Sequence, residues 1–129
     1  MEVRCVLNKP SLIENNSIRA YISEYLRVDE LNIELGKKYL VLGLISRKGI
    51  PWYLIMEDRY DDYPVPHCSV FFEVRDNSLP DNWFFAENGN IGEYSFLPRV
   101  WAEKPDYMEQ LMDGNHEAVN ELRDILKSY

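Results

Sequence analysis

Apolar residues at Ile18, Tyr21, Ile22, Tyr25 and Leu26 fall at i, i+3, i+4, i+7 and i+8, which places their side chains on one face of an amphipathic helix. Ser11-Leu12-Ile13-Glu14 has capping-box spacing and Asn15-Asn16-Ser17 offers a second start signal, so the pattern predicts a helix over about 17–27. Leu31, Ile33 and Leu35 then alternate with Asn32 and Glu34, which predicts a short half-buried strand ending at Gly36. Residues 38–46 are almost continuously apolar between flanking basic residues, the signature of a central strand. Arg47-Lys48-Gly49-Ile50-Pro51 supplies a glycine-containing turn, after which Trp52 to Met56 returns as the hairpin partner. Pro51 has no N–H to donate, so it belongs at the start of that strand.

Glu57 to His67 is acidic and holds two prolines, and it reads as a long loop. Cys68 to Val74 and Asn82 to Ala86 are expected to form a second hairpin around the turn formers of 76–81. Asn88-Gly89-Asn90-Ile91-Gly92 reads as another turn, and Tyr94 to Leu97 as one more short strand. Pro105 suits the first turn of a helix through about Met112, with Gly114 closing it in a left-handed conformation. A last helix, about Asn115 to Lys127, carries Ala118, Val119, Leu122, Ile125 and Leu126 on one face. A strand, a helix, about five antiparallel strands and two helices argue for an α+β fold without βαβ crossovers. The expected architecture is an antiparallel sheet of about five to six strands, with one N-terminal helix and two C-terminal helices packed on it.

At 129 residues the chain fits a single domain spanning 1–129, and 46% apolar residues suffice for a core without disulfides or metal. The first residues carry no apolar run with a cleavage site, and no window approaches the length of a membrane span. Cys5 and Cys68 have neither the number nor the spacing of a disulfide framework or a zinc site, and read as buried thiols in a reducing cytoplasm.

Charge changes the picture most. Residues 1–49 hold eight Lys/Arg against six Asp/Glu, a net +2, whereas residues 50–129 hold six against sixteen, a net −10. Such a field repels nucleic-acid backbones and steers a basic protein toward it, so a protein partner is expected and neither nucleic acid nor membrane is. Glu57, Asp58, Tyr60, Asp61, Asp62 and Tyr63 place four carboxylates and two tyrosines within seven residues. Carboxylates accept bidentate hydrogen bonds from arginine, and tyrosines bring contact area at low entropic cost, so these six are the candidate partner-binding residues.

No catalytic, cofactor or metal residue is assigned. The loop lacks the Asp-x-Asp-x-Asp-Gly spacing of a calcium loop, and the six glycines form neither GxxxxGK[ST] nor GxGxxG. His67 and Cys68 are adjacent, but neighbours on a strand point to opposite faces, which argues against a nucleophile–base pair. His116 is expected to be exposed near a helix start. The aromatics Trp52, Tyr53, Phe71, Phe72, Trp83, Phe84 and Phe85 lack the basic companions of a base-stacking platform. Phe71-Phe72 and Phe84-Phe85 each place one ring on either sheet face, so both faces are covered or one exposes an apolar patch.

Gly36-Lys37-Lys38-Tyr39-Leu40-Val41-Leu42-Gly43, Pro51-Trp52-Tyr53-Leu54-Ile55, Val70-Phe71-Phe72-Glu73-Val74 and Leu79-Pro80-Asp81-Asn82-Trp83 together resemble small acidic bacterial immunity-type proteins of polymorphic toxin and contact-dependent inhibition systems. The resemblance spans roughly residues 36–115, and its aromatic and turn positions specify fold better than activity. It implies a non-enzymatic cytoplasmic inhibitor that neutralises a basic, nuclease-like toxin by direct binding, its carboxylates imitating substrate phosphates. An adaptor or regulatory module, homodimeric through an exposed aromatic face, is the alternative expectation. A carboxylate with a raised pKa in a deep pocket would instead indicate a hydrolase.

Overall fold

The computed structural model describes residues 1–87 and 92–129, and it is α+β. Its strands are β1 Glu2–Cys5, β2 Lys38–Leu40, β3 Gly43–Arg47, β4 Ile50–Ile55, β5 Val65–Cys68, β6 Phe72–Asp76, β7 Trp83–Glu87 and β8 Tyr94–Pro98. Its helices are α1 Asn16–Ser23, α2 Arg99–Ala102, α3 Tyr107–Met112 and α4 His116–Lys127. The strands form two antiparallel sheets in place of one, in the orders β2-β1-β6 and β5-β4-β3-β8-β7.

The division into two sheets begins inside the apolar run of 38–46, which is two strands instead of one. β2 pairs with β1 in the small sheet, and β3 lies at the centre of the large one. Val41 and Leu42 between them are fully buried, and their amides donate to Met1 O and Leu54 O. Gly43 permits the crossing, because a Cβ there would stand 2.6 Å from Leu97 Cδ2 and 3.3 Å from Phe96 O. An unbroken apolar run fixes burial but not the ladder it joins, and here it joins two.

The expected hairpin of 68–74 with 82–86 is absent for a related reason. A one-turn 3-10 helix, Ser69–Phe71, bends the chain out of the large sheet, so β6 pairs with β1 and β7 pairs with β8. The bend also sets Phe71 outside a strand, and both Phe71 and Phe72 are buried. The turn formers of 76–81 therefore bridge two sheets, with Asp76 Oδ1 accepting from Ser78 N and Oγ.

Residues 31–35 alternate in burial without pairing. Leu31 and Ile33 are buried while Asn32, Glu34 and Leu35 are exposed. Leu31 N donates to Asn8 O, Asn8 Nδ2 to Ile33 O and Glu34 N to the Tyr39 hydroxyl, so the segment is an extended coil laid on the core. The β3–β4 hairpin forms as expected: Lys48 and Gly49 both have positive φ, 53° and 81°, as a two-residue type I′ turn requires. Of the turn read at 88–92, residues 88–91 lie outside the described ones; Gly92 has φ 79°, and its carbonyl accepts from Gly49 N and Ser46 Oγ.

Helix α1 is shorter than its pattern. The Asn15 side chain caps it, accepting from Ile18 N, while Ser11, instead of opening a capping box, donates from N and Oγ to Asp29. The pattern continues past Ser23 in a turn, so Tyr21 and Tyr25 both meet the Trp52 ring, at 6.4 and 5.3 Å. At the C-terminus α2 adds a helical turn absent from the pattern, Gly114 has φ 72°, and Asn115 caps α4 through Ala118 N.

Two cores result. In the first, Phe72 of the small sheet packs on Tyr53 and His67 of the large sheet with Tyr39 against its own ring, and α1 packs on Trp52. In the second, Leu42, Leu54 and Leu97 meet Trp101, Leu111, Ala118, Leu122 and Ile125 of the C-terminal helices. Tyr53 and Leu54, adjacent on β4, thus serve opposite faces, one in each core, and both faces of that strand are covered. Cys5 and Cys68 are buried, unpaired thiols. Among the described residues no helix is long and apolar enough to cross a membrane.

Candidate functional site

The acidic loop is shorter than its composition indicates, because Val65-Pro66-His67-Cys68 is strand β5 at one edge of the large sheet. An edge position tolerates the missing Pro66 donor. Residues 57–64 form the loop proper, and it is well bonded. Asp58 Oδ1 accepts from Tyr60 N, Asp61 Oδ2 accepts from Asp58 N, and Asp61 N donates to Asp58 O. From α4, the Arg123 guanidinium donates to the carbonyls of Arg59, Tyr60 and Asp61 at 3.0 to 3.3 Å. A helix of the second core thereby holds the loop in one shape.

That shape sorts the six candidate residues. Glu57, Asp58 and Asp61 turn toward the extended coil of 30–35, and with Glu30 and Glu34 they line an open groove of about 620 Å³. Tyr60 stands out into solvent, 76% exposed, with the Arg59 guanidinium 5.2 Å from its ring centre. Asp62 lies 3.4 Å from Arg123 and, with Glu57, Tyr60, Asp61 and Tyr63, borders a second, smaller opening of about 330 Å³ on the loop. Tyr63 packs against the second core. The groove thus unites three of the six with two carboxylates about 25 residues earlier that the loop's composition did not reveal. Their one sequence signal is alternation: burial of Leu31 and Ile33 forces Glu30, Asn32 and Glu34 outward.

Glu30, Glu34, Asp58 and Asp61 take part in no ion pair among the described residues. Six of the fourteen Lys and Arg pair with other carboxylates: Arg4 and Arg75 with Glu73, Lys48 with Glu24, Arg99 with Glu103, Lys104 with Glu121 and Arg123 with Asp62. Four of the five groove carboxylates therefore form no ion pair among the described residues, and the fifth, Glu57, meets only a neutral imidazole.

Behind Glu57 lies His67, its side chain 6% exposed and its Nε2 3.3 Å from Glu57 Oε2. The distance is short, but the angles leave Nε2 without a hydrogen bond, so the contact is an approach and not a bonded pair. Burial depresses the imidazole to about 4 and keeps it neutral. Burial, and secondarily the Asp61 charge, raises the Glu57 carboxyl, but at the wall of an open groove and not in the deep pocket that would indicate a hydrolase. A cation entering the groove opposes the second effect directly and favours the Glu57 anion.

The remaining sequence candidates are separated. His67 packs 6.3 Å from Phe72, while Cys68 lies in register with Trp52 on the other face, and burial pushes its thiol up, away from the reactive thiolate. His116 is exposed at the first residue of α4, beside the capping Asn115. Among the described residues no group of three or more His, Cys, Asp or Glu is placed to hold a metal ion. Comparison with protein-family models, with curated proteins and with solved structures gives no match.

Proposed function

We propose that this protein is a non-enzymatic inhibitor that binds a basic protein partner, of the toxin-neutralising kind, through the groove between 30–35 and 57–61. The observation that carries this reading is the convergence of Glu30, Glu34, Glu57, Asp58 and Asp61 on one opening without paired cations of their own. Uncompensated carboxylates repel one another at a standing cost that an arginine- or lysine-rich surface removes on docking. The Arg123 clamp presents the loop in a fixed form, which lowers the ordering cost of binding. Tyr60, outward at the rim, supplies an aromatic contact of the kind enriched at interfaces. The resemblance of the aromatic and turn positions to immunity-type proteins favours a toxin as the partner, and a nuclease among toxins, because nuclease surfaces that hold phosphates are basic.

Glu30 and Glu34 are the residues to perturb, since their side chains form no hydrogen bond that shapes the fold, whereas Asp58 and Asp61 hold the loop together. The double substitution Glu30→Lys/Glu34→Lys is expected to slow association with the toxin encoded beside the inhibitor gene by at least about tenfold at low salt, and to end protection of cells expressing it. Unchanged association and protection, in a variant whose thermal unfolding matches the parent, refutes the groove as the binding surface.

A further inference from the structure

Four strands form the sheet edges among the described residues, and three carry the features that discourage strand addition. β5 contains Pro66 and follows Pro64, β2 is three residues long and opens on exposed Lys38, and β6 carries Glu73, Arg75 and Asp76. Charges, prolines and brevity are the usual protections of an edge. β7 lacks them: it reads Trp83-Phe84-Phe85-Ala86 before its first charge at Glu87, and among the described residues it pairs on one side only, with β8.

Its side chains are correspondingly exposed. Phe84 is 45% and Phe85 55% accessible. Phe85 opposes Phe96 in register, and with Tyr94 these rings form a continuous group, centroids 5.2 to 6.1 Å apart, on one face of the sheet. Phe84 lies on the other face under the Arg99 guanidinium. An edge with unpaired backbone groups and aromatic side chains on both faces is completed by another strand.

We propose that β7 is the seam of a homodimer, in which a second copy adds its own β7 antiparallel with Phe85 on the two-fold axis. Charge selects both the occupant and the register. With Phe85 on the axis, Phe84 faces the partner's Ala86, Glu87 faces the partner's Trp83, and no like charges meet. Registers that keep the same faces aligned differ by two residues. A slide one way sets Asp81 against the partner's Glu87, and a slide the other way sets Glu87 against the partner's Phe85 in place of the aromatic pair. The strand is therefore complementary to itself in one register, which is what a two-fold interface requires. β7 and β5 are opposite edges of the large sheet, so the acidic grooves remain open at the two ends of a ten-stranded sheet.

Sedimentation equilibrium across about 1–200 µM is expected to give twice the 15.3 kDa chain mass at the upper end. Phe85→Lys sets two ammonium groups on the axis and is expected to be monomeric throughout that range, with the circular dichroism of the parent. Because Cys5 and Cys68 are buried, a cysteine introduced on β7 reports alone. Under mild oxidation Phe85→Cys is expected to cross-link to its own copy, whereas Glu87→Cys is not, its two copies standing more than about 10 Å apart in this register. A parent that is monomeric at every concentration, a Phe85→Lys dimer, or cross-linking of Glu87→Cys in preference to Phe85→Cys overturns the proposal. None of these outcomes bears on the acidic groove, whose variants lie at the other edge.

Discussion

Replacing His67 with glutamine tests how burial sets the acid limit of this fold. In the native state the imidazole is held neutral, with its pKa lowered from 6.5 to about 4 by loss of water. The unfolded chain protonates near 6.5, so between about 4 and 6.5 the unfolded state binds more protons than the native one. The stability contributed by the neutral imidazole is complete above pH 6.5, falls as pH drops through that window, and levels off below about 4. Two and a half units correspond to about 3 kcal/mol in full, of which about 2 kcal/mol is lost between pH 7 and pH 5. Glu57 works in the opposite sense. Its raised carboxyl holds a proton in the native state where the unfolded chain has released it, so it adds stability as pH falls through its folded pKa. As pH falls Glu57 therefore takes up its proton before His67 does, and the two slopes partly cancel. Urea denaturation at pH 7 and pH 5 separates them. With a denaturant slope of about 1–2 kcal/mol/M, a loss of 2 kcal/mol lowers the midpoint by about 1–2 M. The His67→Gln variant is expected to lose less than the parent between the two pH values, and Glu57→Gln, which removes the compensating proton, to lose more. Parallel losses in all three proteins refute a buried neutral imidazole opposed by a carboxyl whose pKa is raised.

Gly43→Ala introduces a Cβ 2.6 Å from Leu97 Cδ2 and 3.3 Å from Phe96 O, where β3 and β8 meet the second core. Repacking Leu97 against a fixed carbonyl is expected to cost about 1–3 kcal/mol, read as a lower thermal midpoint. Arg123→Ala removes the guanidinium from three loop carbonyls and from Asp62. Amide exchange at 58–62 is expected to accelerate while the protection of β3 and β4 stays unchanged, and equal acceleration everywhere would mean that the clamp supports the whole fold instead of the loop.

The residues differ in how far they disclose their own roles. Helix α4 was legible, since Ala118, Leu122 and Ile125 repeat at helical spacing from about Asn115, and that signal is local, while the Asn115 cap was added by the structure. The turn at Gly49 was legible for the same reason, as a glycine between apolar strands, whereas the left-handed Lys48 that completes it was not. Glu57, Asp58 and Asp61 were visible as a cluster because composition is itself a one-dimensional property. Glu30 and Glu34 were not, because joining them to that cluster depends on where an unpaired coil rests against the core. Arg123 lay further out of reach, since a helix surface arginine does not declare which carbonyls it will find 62 to 64 residues earlier.

By itself, then, the sequence determined the α+β class, helices α1, α3 and α4 in outline, the glycine-containing hairpin and the uneven charge, all of which follow from interactions among near neighbours. The tertiary structure alone decided that the 38–46 run serves two sheets, that β6 leaves β5 to join β1, that five carboxylates share one groove, and that β7 pairs on one side only among the described residues. These are choices among partners of similar local propensity. They are settled by packing at sites such as Gly43 and the Ser69–Phe71 bend, where the available volume, and not the identity of the neighbouring residues, selects the pairing.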